Sequence, residues 1–169
     1  AVAAHYRPGD RVWVHDYQLM LLPGMLRARL PADARIGFFL HIPFPCADVF
    51  AALPPREAVL RGLLGADVVG FHTAGYARHF AASVGRVLHL PASAECVEVG
   101  GGRPVRVGVF PMGVDAADIE ARAARPDVEA AAAELVPADG AGDDVALFVG
   151  IDRLDYTKGI PRRLLAFET

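Results

Sequence analysis

Arg35-Ile36-Gly37-Phe38-Phe39-Leu40-His41-Ile42-Pro43-Phe44-Pro45 is the stretch from which the organisation of the whole chain can be worked out. Its first six residues form a near-continuous apolar run, the pattern of a strand buried on both sides, and such strands belong to parallel sheets. The two prolines then forbid both ladder pairing and helix interior, so the strand must end at His41 in a rigid loop. Upstream, Arg11 to Val14 is a shorter β-rich run that ends in His15, Asp16 and Tyr17. Leu19 to Leu30 follows with helical spacing, its first turn separated or kinked by Pro23 and Gly24. Downstream, Arg56 to Leu64 is expected as a helix and Asp67 to Phe71 as a third strand. Thr73 to Leu88 is expected as a helix with Thr73 as its N-cap. Strand and helix therefore alternate. The fold class expected is α/β, a Rossmann-like parallel sheet with helices on both faces.

The pattern then changes. Cys96 to Val99 and Val105 to Phe110 flank Gly100, Gly101 and Gly102, which predicts a hairpin; a phosphate-cradling loop would need a helix directly after the glycines, and none follows. Pro111 to Asp115 closes the strand, and Ala116 to Leu135 is an alanine- and glutamate-rich helix broken near Pro126. Val136 to Asp144 is a polar Gly/Pro-rich linker. It sets the expected organisation: a first domain over 1–136, a linker over 137–144, and the start of a second domain over 145–169. Val145 to Val149 is expected as a new buried strand, running through Gly150 into Asp152-Arg153-Leu154-Asp155-Tyr156-Thr157-Lys158-Gly159 and a terminal helix. The chain opens at Ala1 rather than Met and closes at Thr169 inside a helical pattern, so both ends are expected to be internal to a longer protein.

Composition removes several classes of function. Of the 169 residues 53% are hydrophobic, enough for a core without disulfides or metals. A net charge of −3 with no basic stripe argues against a nucleic-acid partner. Cys46 and Cys96 form no CxxC pair, which argues against a disulfide framework or a zinc site and for the reducing cytoplasm, with Cys46 expected as a small buried residue. No apolar run approaches the roughly 18 residues a membrane span needs, and no secretory signal precedes the first strand.

In open parallel sheets ligands bind beyond the carboxyl ends of the strands. Those ends deliver His15, Asp16 and Tyr17, then His41, then His72 and Thr73, and past the linker Asp152, Arg153 and Lys158. Asp16 can accept hydrogen bonds from two neighbouring sugar hydroxyls, or it can cap the following helix. His41 can donate to a sugar hydroxyl or take a proton, or it can bond backbone in the proline loop. Arg153 and Lys158 can neutralise a diphosphate leaving group at a helix N-terminus, or they can form solvated ion pairs with Asp152 and Asp155. His15, His41 and His72 lack ligand-spaced partners for a metal site. His72 and His79 read as ordinary packing or surface residues.

Taken together, Trp13-Val14-His15-Asp16-Tyr17-Gln18-Leu19, Phe39 to Pro45, Gly70 to Thr73 with Tyr76 to Phe80, Pro111 to Asp115 and Asp152 to Gly159 resemble the trehalose-6-phosphate synthase family, in order and over nearly the whole chain. The resemblance implies a GT-B architecture of two Rossmann-like domains facing a cleft. It also implies a retaining glycosyltransferase, an α,α-trehalose-phosphate synthase that moves glucose from UDP-glucose, or a related nucleotide, to glucose 6-phosphate. In such enzymes the departing diphosphate assists deprotonation of the acceptor, so no protein nucleophile is expected; with two cations able to neutralise the diphosphate and no ligand-spaced histidine partners, no metal or cofactor is expected either. By the same resemblance Asp16 contacts the acceptor sugar with Tyr17 beside it, His41 lies over the donor glucose, and Arg153 and Lys158 hold the UDP diphosphate. Gln18 departs from a histidine common in relatives. Expected partners are the sugar nucleotide and sugar phosphate, with no nucleic acid and no membrane; a homo-oligomer and a trehalose-phosphate phosphatase partner are compatible with the family. Two alternatives remain open at this level: a glucosylglycerol-phosphate synthase or related pseudo-glycosyltransferase, and a non-catalytic regulatory homologue. The 169-residue piece alone is expected to be inactive.

Overall fold

Strands rich in Val, Ile and Phe pair along their length because each backbone N–H and C=O needs a ladder partner once buried. The computed structural model describes residues 1–101, 103–135 and 147–168. These divide into two units, Ala1–Gly113 and Val114–Thr169. In the first, α1 (Val2–His5) precedes β1 (Arg11–His15), a 3-10 turn (Tyr17–Leu19), α2 (Leu22–Arg27), β2 (Arg35–Phe39), α3 (Ala47–Ala51) and α4 (Arg56–Leu63). β3 (Val68–Phe71), α5 (Ala74–Leu88), β4 (Cys96–Val99) and β5 (Arg103–Val109) complete it. The sheet order is β1-β2-β3-β5-β4. The first four strands in that order are parallel, with Trp13 opposite Gly37 and Phe39 opposite Gly70, and β4 is antiparallel to β5.

Each crossover in this order steps the same way across the sheet, and right-handed crossovers then place their helices on one face. That face carries Val14, Ile36, Phe38, Val69, Phe71, Val105 and Val107, all buried, packed with Leu60, Leu63, Phe80 and Val84 from α4 and α5. The alternate residues point the other way, and there Trp13 is 70% exposed. Helical cover on both faces, as expected from the alternation, is thus met on one face within this unit.

Local chemistry accounts for the details. Pro23 stands in the first turn of α2, so the helical stretch expected from Leu19 divides into a 3-10 turn and a six-residue helix. α3, at five residues, is too short to declare itself by periodicity. Cys46 is exposed rather than buried, because it serves as the extended N-cap of α3 while Phe44 and Phe50 on either side stack in the core. At the amino ends of the strands Arg27 bridges Asp67 at 2.6 Å and donates to the carbonyls of Gly65 and Ala34, while Asp67 accepts from the amide of Ile36. Arg103 joins through Asp67 and the Ala66 carbonyl; burial, and after it the like charge of Arg27, lowers the pKa of its guanidinium from the ordinary value while Asp67 opposes. This network lies at the edge opposite the carboxyl ends of the parallel strands and secures the sheet.

Helices α2 and α4 approach backbone to backbone at three glycines. A Cβ on Gly65 would lie 2.3 Å from the amide nitrogen of Gly24 and 2.4 Å from its Cα, atoms that cannot move aside. Gly65→Ala is therefore expected to destabilise the protein by about 3 kcal/mol, at the upper end of overpacking costs, and thermal melts of the full-length protein should show it as a clearly lowered Tm. An unchanged Tm would mean that the two helices are not held this closely.

The second unit contains α6 (Ala116–Ala123), α7 (Pro126–Leu135), a 3-10 turn (Tyr156–Lys158) and α8 (Ile160–Glu168). Asp115 caps α6 by accepting from the Asp118 amide, and Pro126 opens α7, so the expected break falls where proline requires it. The linker expected over 137–144 lies outside the described residues. So do the first two residues of the strand expected over Val145 to Val149; Leu147, Phe148 and Val149 are exposed and pair with no strand among the described residues. An apolar run becomes a strand only when a neighbour completes its ladder.

Candidate active site

The carboxyl ends of β1, β2 and β3 converge on one cluster. Beyond β1 the chain turns at Asp16 with φ 69° and ψ 169°, a conformation that is essentially glycine's alone and costs a side-chain-bearing residue about 1–3 kcal/mol. The surroundings hold it there. The Asp16 amide donates to the Phe39 carbonyl at 2.9 Å, and its Oδ1 accepts from the amides of Tyr17 at 3.0 Å and His41 at 3.3 Å. Asp16 thus caps the 3-10 turn, as the local alternative expects, and also ties the ends of two strands together. Tyr17 lies beside it, half exposed.

His41 leaves β2 next to this carboxylate. Its Nε2 is 3.0 Å from Nδ1 of His15, and its ring meets Phe39 edge-on at 4.8 Å between centroids and His72 at 5.8 Å. Trp13 stacks at a tilt on His15, and Phe39 meets His72 at 4.9 Å. Five rings from three strand ends therefore line one edge, and a groove of about 680 Å³ over the uncovered sheet face is bordered by Trp13, His15, Phe39, His41, Phe110 and Met112. Among the described residues no group of three or more His, Cys, Asp or Glu side chains is arranged to hold a metal ion. Thr73 caps α5, its hydroxyl accepting from the Tyr76 amide, as expected. His79 is not idle packing: its Nδ1 lies 3.0 Å from the Phe44 carbonyl and fastens the proline loop to α5.

Arg153 and Lys158 stand together in the second unit. Asp155 accepts from both the amide and the hydroxyl of Thr157 at 2.9 Å, which forms the 3-10 turn, and Gly159 with φ 64° releases the chain into α8. Those two Thr157 bonds, with Arg153 and Lys158 adding smaller contributions, hold the Asp155 carboxyl below the usual carboxylate range. Asp152 pairs instead with Arg163 at 2.6 Å. Asp152 is therefore engaged elsewhere, while Asp155 bonds Thr157 and acts on the two cations only through its field. Arg153 and Lys158 are exposed and in no ion pair among the described residues.

Asp16, Tyr17 and His41 are thus brought together in one unit, and Arg153 and Lys158 in the other. The arrangement of His15 and His72 around His41 was not legible beforehand; both stand at strand ends, but which rings touch is a matter of register. A sequence profile of glycosyltransferase family 20 matches residues 1–169. The chain belongs to glycosyltransferase family 20. It is 45% identical over 172 residues to the alpha,alpha-trehalose-phosphate synthase [UDP-forming] of Yarrowia lipolytica, covering 99% of this chain and 36% of that protein. It is similar, with a TM-score of 0.82 and 33% identity, to the structure of trehalose-6-phosphate from E. coli bound with UDP-2-fluoro glucose, over 99% of this chain and 36% of the other. A third likeness, with a TM-score of 0.72 and 37% identity, is to the N-terminal domain of Candida albicans trehalose-6-phosphate phosphatase, over 80% of this chain and 29% of that one. This family 20 chain spans about 36% of the length of the curated relative. No helix among its described residues is long and apolar enough to cross a membrane.

Proposed function

We propose that the full-length protein is a retaining glucosyltransferase that forms trehalose 6-phosphate from UDP-glucose and glucose 6-phosphate. The observation that carries this reading is Asp16: a carboxylate kept in a glycine-only backbone conformation at a ligand-binding strand edge, beside His41, is a group whose placement is worth its strain. Asp16 and Tyr17 bind and orient the hydroxyls of the acceptor. His41 hydrogen-bonds the donor glucose. Arg153 and Lys158, in no ion pair among the described residues, take the diphosphate. The bond between the glucosyl anomeric carbon and the diphosphate breaks, a bond to the acceptor oxygen forms on the same face, and the acceptor's hydroxyl proton passes to a leaving diphosphate oxygen. The two cations stabilise the charge that grows on that group, so the reading requires no metal and no resident cofactor. Its seat is the cytoplasm, consistent with two free cysteines.

The test is an assay of the full-length protein with UDP-glucose and glucose 6-phosphate. The expected product is UDP together with a disaccharide phosphate whose two anomeric protons both show α couplings by NMR. No such product, or preference for glycerol 3-phosphate as acceptor, would overturn the assignment. The likeness to the Candida phosphatase's N-terminal domain favours one second reading, a family 20 domain that serves a phosphatase without transferring sugar. The same assay separates the two, since that reading yields no UDP.

A further inference from the structure

We propose that His15 is a positioning residue, which accepts the Nε2 proton of His41 and thereby leaves Nδ1 of that ring as the hydrogen-bond acceptor for a sugar hydroxyl. The proposal rests on the reading above that His41 meets the donor sugar.

Two imidazole nitrogens 3.0 Å apart, His15 Nδ1 and His41 Nε2, form a hydrogen bond only if one proton lies between them. If His15 supplied it, both rings would have to carry their proton on Nδ1, the less favoured tautomer of a free imidazole. If His41 supplies it, both rings keep the favoured Nε2–H form. The second arrangement therefore prevails, and in a neutral imidazole a proton on Nε2 makes Nδ1 an acceptor. The ring's place is set from three directions. Its backbone amide is held by Asp16, Phe39 and His72 meet the ring in edge-on contacts, and Trp13 packs at a tilt on His15. Among the described residues His15 is the one hydrogen-bond partner of the His41 imidazole. It thus decides which nitrogen faces a ligand, while the aromatic neighbours only decide where the ring stands.

Leucine and asparagine separate these roles, because both approximate the shape of histidine up to Nδ1 but only asparagine can accept there. In the full-length protein His15→Leu is expected to lower kcat/KM for UDP-glucose about tenfold, the scale of one neutral hydrogen bond, and His15→Asn to stay within about threefold of wild type. Imidazole nitrogen NMR on histidine-labelled protein, in buffer above the ordinary imidazole range, gives a readout that packing alone would not move. His41 should be a single Nε2–H tautomer with an exchange-protected proton in wild type and His15→Asn. In His15→Leu that protection should be lost. Equal impairment of both variants, or a protected His41 proton that survives His15→Leu, would overturn the proposal. If the wild type transferred no glucose, the function proposed above would fall, and the NMR comparison would still decide the role of His15.

Discussion

Replacing Arg153 or Lys158 with alanine in the full-length protein is expected to lower kcat/KM by about 10² or more, roughly 2.7 kcal/mol of transition-state stabilisation, the scale for losing one preorganised charge-stabilising donor. Negative charge on the leaving diphosphate grows as the glycosidic bond lengthens, so the two cations act more on the transition state than on bound substrate, and kcat should fall with kcat/KM. Stability should hardly change. Asp152 is paired with Arg163 and Asp155 with Thr157, so neither variant breaks an ion pair among the described residues. Lys158→Arg keeps the charge without the compact ammonium and should restore activity in part. Steady-state kinetics at saturating UDP-glucose, accompanied by thermal melts, measure both quantities. Near-normal kcat in both alanine variants would remove these residues from the mechanism and favour the domain that serves a phosphatase.

Asp16→Asn is expected to weaken glucose 6-phosphate by about 10- to 100-fold, the range for a hydrogen bond to a charged group, with UDP affinity near normal. Asparagine suits this test. Its side-chain oxygen can still accept from the Tyr17 and His41 amides, and it tolerates positive φ better than most residues, so the turn is retained while the charge is lost. Acceptor KM from initial rates and UDP binding by calorimetry give the two arms. Equal loss of both would make Asp16 a structural cap rather than a substrate group.

The strand-helix alternation was legible because it depends on short-range pattern. The apolar run at Arg35 to Leu40, the stop imposed by Pro43 and Pro45, the cap at Thr73 and the break at Pro126 each follow from a backbone rule that acts within a few residues. Where the rule was longer-range, expectation and structure diverge. Leu147 to Val149 has the apolar composition of a strand but lacks a ladder neighbour among the described residues, and Cys46 has the size of a core residue but falls on the outer side of a helix start.

By itself the sequence determined the α/β class, the order of most elements, the strand ends that carry chemistry, and through five motifs the family. It could do so because propensity, proline geometry and motif spacing are local properties of a chain. Only the tertiary structure decided that the crossover helices of the first unit share one face, since that depends on the direction in which successive strands are added. It alone placed Asp16 in a glycine-only conformation, a strain that Phe39 and His41 from another strand must hold. And it alone set His15 against His41, 26 residues apart in the chain but 3.0 Å apart in space, because the parallel register of β1 and β2 brings their carboxyl ends level.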